Sequence, residues 1–245
     1  MTDPLFDLVR LPGVRGAADE ARDSLAQVHR HPANRRGWPA TATEASVRGA
    51  RSSAAIEGAS TRLPPDGRVT DPVLAGAMRV GQALDGDGLA NLVRTWSRAP
   101  LQALARLHLL AAADLVSDEA ALGRPRPGAG ERLNLLAQVV VSSTAPAPVI
   151  AGVVHGELLA LRPFGTADGV VARAASRLVS VSTGLDPHNL GVPEVAWLRR
   201  GPEYGEAAAR FADGSTVGVG AWLVFCCSAL EAGAREAKSI ADSAG

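Results

Sequence analysis

The sequence predicts an all-α fold, and three observations carry that expectation. Alanine is the commonest residue, 46 of 245, while aromatics make up only 4%. Alanine is the best helix former and a poor strand residue. Leu101, Leu104, Leu107, Leu110 and Ala111 fall on one face of a 3.6-residue helix. Proline and glycine signals cut the chain into pieces of helix length.

Taken in order, residues 15–31 form a helix stopped by His31-Pro32. A second runs from Ala40 to Ile56 and ends at Glu57-Gly58, where glycine is the expected terminator. Ser60 to Asp71, with Pro64-Pro65-Asp66-Gly67, reads as a loop. Asp71 caps a helix whose first turn holds Pro72 and which runs to Leu84. Asp85-Gly86-Asp87-Gly88 is a turn, and helices follow over Leu89–Trp96 and Pro100–Leu115. The breaker-rich run Gly123 to Gly130 reads as a domain boundary or, better, as a long surface loop, because the helices on either side are too few to make separate cores. Beyond it helices are expected near 131–142, 146–161, 168–183, 202–211 and 216–240. Val139-Val140-Val141 has strand composition but continues the helical pattern of Leu133, Leu135 and Leu136.

Composition excludes several function classes. Twenty-five basic residues balance 25 acidic ones, so no general nucleic-acid binding is expected. No run of about 18 uninterrupted apolar residues occurs, so no membrane span is expected. The start, Met1-Thr2-Asp3-Pro4, lacks the order of a signal peptide. Cys226 and Cys227 are adjacent in an apolar run and read as reduced, buried thiols of a cytoplasmic protein. No Cys/His spacing suggests zinc, and no phosphate-loop or dinucleotide fingerprint is present.

The informative stretch is Val154 to Arg173. An apolar helix ends at Pro163, and a second begins near Asp168-Gly169. Small residues at 165, 167 and 169 leave backbone N–H groups open at a helix N-terminus, an arrangement that suits a phosphate. Arg173, one turn on, is placed to close over such an anion. The same residues also read as a capped helix–turn–helix in which Asp168 is simply the N-cap.

Arg162-Pro163-Phe164-Gly165-Thr166-Ala167-Asp168-Gly169-Val170-x-x-Arg173 resembles the Fic (Fido) family motif His-Pro-Phe-x-(Asp/Glu)-Gly-Asn-Gly-Arg-x-x-Arg. Ser53-Ala54-Ala55-Ile56-Glu57-Gly58 resembles the family's inhibitory pattern (Ser/Thr)-x-x-x-Glu-(Gly/Asn). Leu107-His108 with Gly123-Arg124-Pro125-Arg126, and the helix Trp222 to Ala232, resemble further family segments. The resemblance covers residue 40 to the C-terminus. It implies a Fic-like helical domain over 40–245 with residues 1–39 as a helical extension packed on it.

For family members the resemblance implies transfer of AMP from Mg-ATP to a protein hydroxyl. The motif His acts as base, the acidic residue holds the metal, and the turn and arginines hold the triphosphate. Here Pro163, Phe164, Gly169 and Arg173 match, and the rest depart. Arg162 stands at the base position, where a guanidinium cannot accept a proton. Thr166 stands at the metal position with only a neutral hydroxyl. Ala167, Asp168 and Val170 replace Gly, Asn and Arg, and the loop before Glu131 leaves no room for the family's target-binding hairpin.

Three readings follow. The first is a Fic-like protein without ordinary AMP transfer, binding a nucleotide, a phosphate or a protein partner through Gly165, Thr166, Asp168, Gly169 and Arg173, with ATP and Mg²⁺ as the implied ligands. The second is an active nucleotidyltransferase that uses Asp168 for metal and His155, two turns before Arg162, as a displaced base. The third is a purely structural helical protein. His155 and His108 also read as core histidines, and a homodimer stays open. From the resembled inhibitory pattern, Glu57 is expected to pair directly with Arg173, both mostly buried; the alternative is that Glu57 is an exposed helix-end residue before Gly58.

Overall fold

The computed structural model describes residues 3–62 and 67–244. Among them are twelve α-helices and no strand: α1 (Phe6–Val9), α2 (Val14–Arg30), α3 (Asn34–Ile56), α4 (Pro72–Ala83), α5 (Gly86–Arg98), α6 (Pro100–Ala112), α7 (Gly130–Ser142), α8 (Ala147–Leu161), α9 (Asp168–Ser182), α10 (Pro193–Arg199), α11 (Gly201–Ala212) and α12 (Thr216–Ala244). The chain is all-α, as its composition predicts, and Val139–Val141 lie within α7.

Local chemistry explains some helix starts. Asp71 Oδ1 accepts hydrogen bonds from the N–H groups of Val73 and Leu74 at 2.9 and 3.0 Å, with Pro72 in the first turn. Asp85 opens α5 in the same way through Gly86, so the helix begins inside the Asp85–Gly88 segment expected to be a turn. Helix α3 begins at Asn34, not Ala40, and runs through Pro39. Proline removes one helical N–H, and the freed region is held by Thr41, whose hydroxyl donates to Asn34 Oδ1 at 2.8 Å. The short helices α1 and α10 lie outside the segments expected to be helical. Residues 63–66 of the expected Ser60–Asp71 loop lie outside the described residues.

The antiparallel pair α8–α9 forms the centre, and the long α12 packs on α8 and also on α2, α10 and α11. Helix α12 is long and apolar enough to cross a membrane by length and composition. Its apolar face is used internally instead: Trp222, Leu223, Cys226, Cys227 and Ala229 are buried, and the Trp222 indole donates to the carbonyl of Gly152 at 2.8 Å. Both cysteines are free and buried. Helices α3, α5 and α6 pack on the other side of α9, and α4 lies between α3 and α6. This arrangement brings the end of α3, the α8–α9 turn and the start of α11 to one place.

Candidate functional site

The site centres on the turn between α8 and α9. Arg162 ends α8 in the left-handed region, with φ +46°, and its side chain is exposed. Ala167 precedes α9, also left-handed at φ +52°. Left-handed backbone disfavours residues with a Cβ, which accounts for glycine at the second of these positions in the resembled motif.

The turn is held from within. Asp168 is buried, and its two carboxylate oxygens accept the N–H groups of Phe164 and Gly165 at 2.9 and 2.8 Å. Asp168 is the first residue of α9, and its carboxylate serves the turn before it, not the N–H groups of its own helix. The expectation of a simple N-cap is corrected in that respect. Burial raises the Asp168 pKa, opposed by these two hydrogen bonds and by the charges of Arg162 and Arg126.

His108 anchors the turn to α6. Its ring stacks on Phe164 with centroids 4.2 Å apart. The Gly123 N–H donates to Nδ1 at 2.9 Å, so Nε2 carries the proton and donates to the Thr166 hydroxyl at 3.1 Å. Burial lowers the His108 pKa and keeps the ring neutral.

Glu57 and Arg173 meet, as the sequence predicts: Arg173 Nη2 donates to Glu57 Oε1 at 2.7 Å. The guanidinium is 1% exposed and also donates to the Ser53 hydroxyl at 2.8 Å, the Ser53 carbonyl at 3.1 Å and the Tyr204 hydroxyl at 3.3 Å. The expectation that both partners are buried fails for Glu57, whose side chain is 34% exposed because it projects from the end of α3 into solvent. Glycine at 169 makes the approach possible: a Cβ there would lie 2.1 Å from Glu57 Oε1. The Glu57 carboxylate therefore lies over the N-terminal turn of α9, where a helix favours negative charge.

His155 does not face the turn. It is fully buried among Trp197, Tyr204 and Trp222, with Nε2 2.8 Å from the Tyr204 hydroxyl. Burial, with the Arg173 charge behind Tyr204, pushes its pKa well down. The reading of His155 as a displaced base is corrected: the ring has no path to a substrate. Tyr204, pushed up to about 12 by burial, remains a phenol that joins His155 to Arg173. No sequence motif points to Tyr204, although it is the chain's one tyrosine.

The residues do not fit Mg²⁺. The turn's one carboxylate, Asp168, has a backbone donor on each oxygen, and Thr166 already accepts from His108. Among the described residues no group of three His, Cys, Asp or Glu side chains converges.

No protein-family model and no curated protein matches the sequence. Among solved structures, the fold is similar to the crystal structure of a Fic family protein from Desulfovibrio desulfuricans G20, with TM-score 0.64 and 18% identity, covering 93% of this chain and 74% of that one. The fold is Fic-like, and the similarity at this identity concerns the fold alone.

Proposed function

We propose that this Fic-like protein is a non-catalytic binding protein, not a nucleotidyltransferase. One observation carries the reading: the chain's own carboxylates stand where a triphosphate would need donors. Asp168 takes the N–H groups of Phe164 and Gly165, and Glu57 covers the start of α9 and pairs with a fully buried Arg173. Arg162 brings no base to the motif, and His155 is sealed inside the core. Loss of general-base help alone costs about 10²–10⁴-fold in rate. The partner is a protein or a small anionic ligand, and a homodimer and a cytoplasmic setting belong to the same proposal.

The test is incubation of the purified chain with α-labelled ATP and Mg²⁺. The expected result is no label on the protein or on added proteins, with Arg162→His equally inert because the metal position stays empty. Robust label incorporation by the wild-type chain overturns the reading and favours the rearranged transferase.

A further inference from the structure

Outside the self-filled turn lie two guanidiniums with donors to spare. Arg126 is exposed, and it grips the chain on both sides of residue 162: its N–H donates to the Pro163 carbonyl at 2.7 Å and its Nη2 to the Leu161 carbonyl at 3.2 Å. Its aliphatic stem lies against Gly165, where a Cβ would be 3.1 Å from Cδ. Arg126 thereby satisfies a carbonyl that the end of α8 leaves open, and among the described residues its Nε and Nη1 make no hydrogen bond. Arg162 stands between those two anchor points. Among the described residues its side chain makes no hydrogen bond and no ion pair within 4.0 Å.

Two exposed cations at one turn repel weakly in water, and an anion bound there is attracted by both. Asp168 answers only in part, because its oxygens point inward to Phe164 and Gly165. Arg162 is also held in left-handed backbone, which a side-chain-bearing residue adopts at a cost and which concentrates where function requires it.

Resting on the reading of a binding protein, we propose that Arg126 and Arg162 form a surface site for a phosphoryl group, bound as a phosphomonoester or as free phosphate and without metal. The chemistry favours phosphoryl over carboxylate. A carboxylate has two oxygens and one charge, which a single guanidinium fork satisfies. A phosphomonoester carries close to two charges and three acceptor oxygens, which match the Arg162 fork together with the donors Arg126 has left. The Thr166 hydroxyl, oriented by His108, lies on the same turn and has its own proton left to donate.

The experiment titrates the full chain with sodium phosphate, with sodium chloride at matched ionic strength as control, following the arginine Nε–H resonances. Saturable shifts of Arg162 and Arg126 with phosphate and not with chloride are expected. Arg162→Gln should weaken the response roughly tenfold or more, as loss of a charge-assisted bond to an oxyanion does. Arg162→Lys, which keeps the charge but not the fork, should fall between. Arms with phosphoserine and AMP separate the sources: tighter binding than inorganic phosphate assigns the site to a phosphomonoester, and equal or weaker binding assigns it to the free ion. Equal responses in phosphate and chloride, or a phosphate response unchanged in both Arg162→Gln and Arg126→Gln, overturns the proposal. That failure leaves the absence of label transfer untouched, so the two readings are judged separately.

Discussion

Helix α9 carries two arginines one turn apart, each bound to a carboxylate, and the two pairs are built differently. Arg177 donates to Glu194 Oε2 at 2.8 Å and to the side chain and carbonyl of Asn189 at 2.9 and 3.2 Å, with the two side chains 6% and 3% exposed. Gly49 of α3 lets both approach, since a Cβ there would lie 2.9 Å from Arg177 Nη1. Arg173 is as deeply buried, yet its carboxylate partner Glu57 stands one-third in water. The first pair is closed at both ends and joins α9 to α10 and its preceding loop. The second is closed at the arginine and open at the carboxylate, and the open end coincides with the motif turn. Identical chemistry thus serves two purposes, set by where the carboxylate stands.

Deleting each carboxylate separates the two pairs most strongly. Glu194→Ala should cost about 3–5 kcal/mol, because it leaves a buried guanidinium without compensation. Denaturant unfolding measures it, and a loss below about 1 kcal/mol would show that water enters the closed pair.

Proton uptake should separate the two regions next. His155 stands behind Arg173 through Tyr204, and its folded pKa is depressed by burial and then by Arg173. Such a group contributes stability above its unfolded pKa, about 6.5, that is lost as pH falls through that value. Each buried neutral histidine contributes a slope of about 1.4 kcal/mol per pH unit below it, and His108 acts in the same sense. Near the other pair, burial would raise the Asp186 pKa, but His29 and the N–H groups of Gly191 and Leu190 hold it below its usual value. Its contribution is present above about pH 4 and is lost only in more acidic solution. Stability measured from pH 7 to pH 5 should therefore fall, and His155→Gln should flatten the curve. An unchanged slope in that variant would remove His155 from the account.

Glu57→Ala should cost less than Glu194→Ala, about 1–2 kcal/mol, since water replaces the exposed carboxylate and Arg173 keeps Ser53 and Tyr204. The variant should gain no nucleotide transfer, which the labelling assay checks. A cost equal to that of Glu194→Ala would erase the difference between the two pairs. The smallest effect expected is a gain: Ala167→Gly relieves left-handed strain while adding unfolded-chain entropy. The net is about 0.5–1 kcal/mol and about 1–4 °C in melting temperature. A loss on that substitution would place the strain elsewhere.

These elements also mark what the sequence makes legible. The order of the long helices and the Glu57–Arg173 contact can be read from it because local signals carry them: Asp71-Pro72, the glycine after Glu57, and the spacing of the motif. The start of α3 cannot, since Pro39 argues against a helix that tertiary contacts sustain. Helix α10 has seven residues, too few for a periodic signal. The roles of Asp168 and Tyr204 depend on distances between separate elements, and no residue pattern encodes how far a carboxylate reaches back or which helix delivers a phenol. The partial exposure of Glu57 escapes for the same reason: a pattern names the partner and not the solvent around it.

The inward-turned carboxylate of Asp168 has a kinetic and thermodynamic meaning of its own. It is a tethered competitor, joined by a few bonds to the amides it occupies, and it meets them at an effective concentration on the order of millimolar or above. A diffusing anion must outbid that internal supply before it gains any hold on the Phe164 and Gly165 amides. The turn is thus buffered against the anions around it, and its shape stays constant as their levels rise and fall.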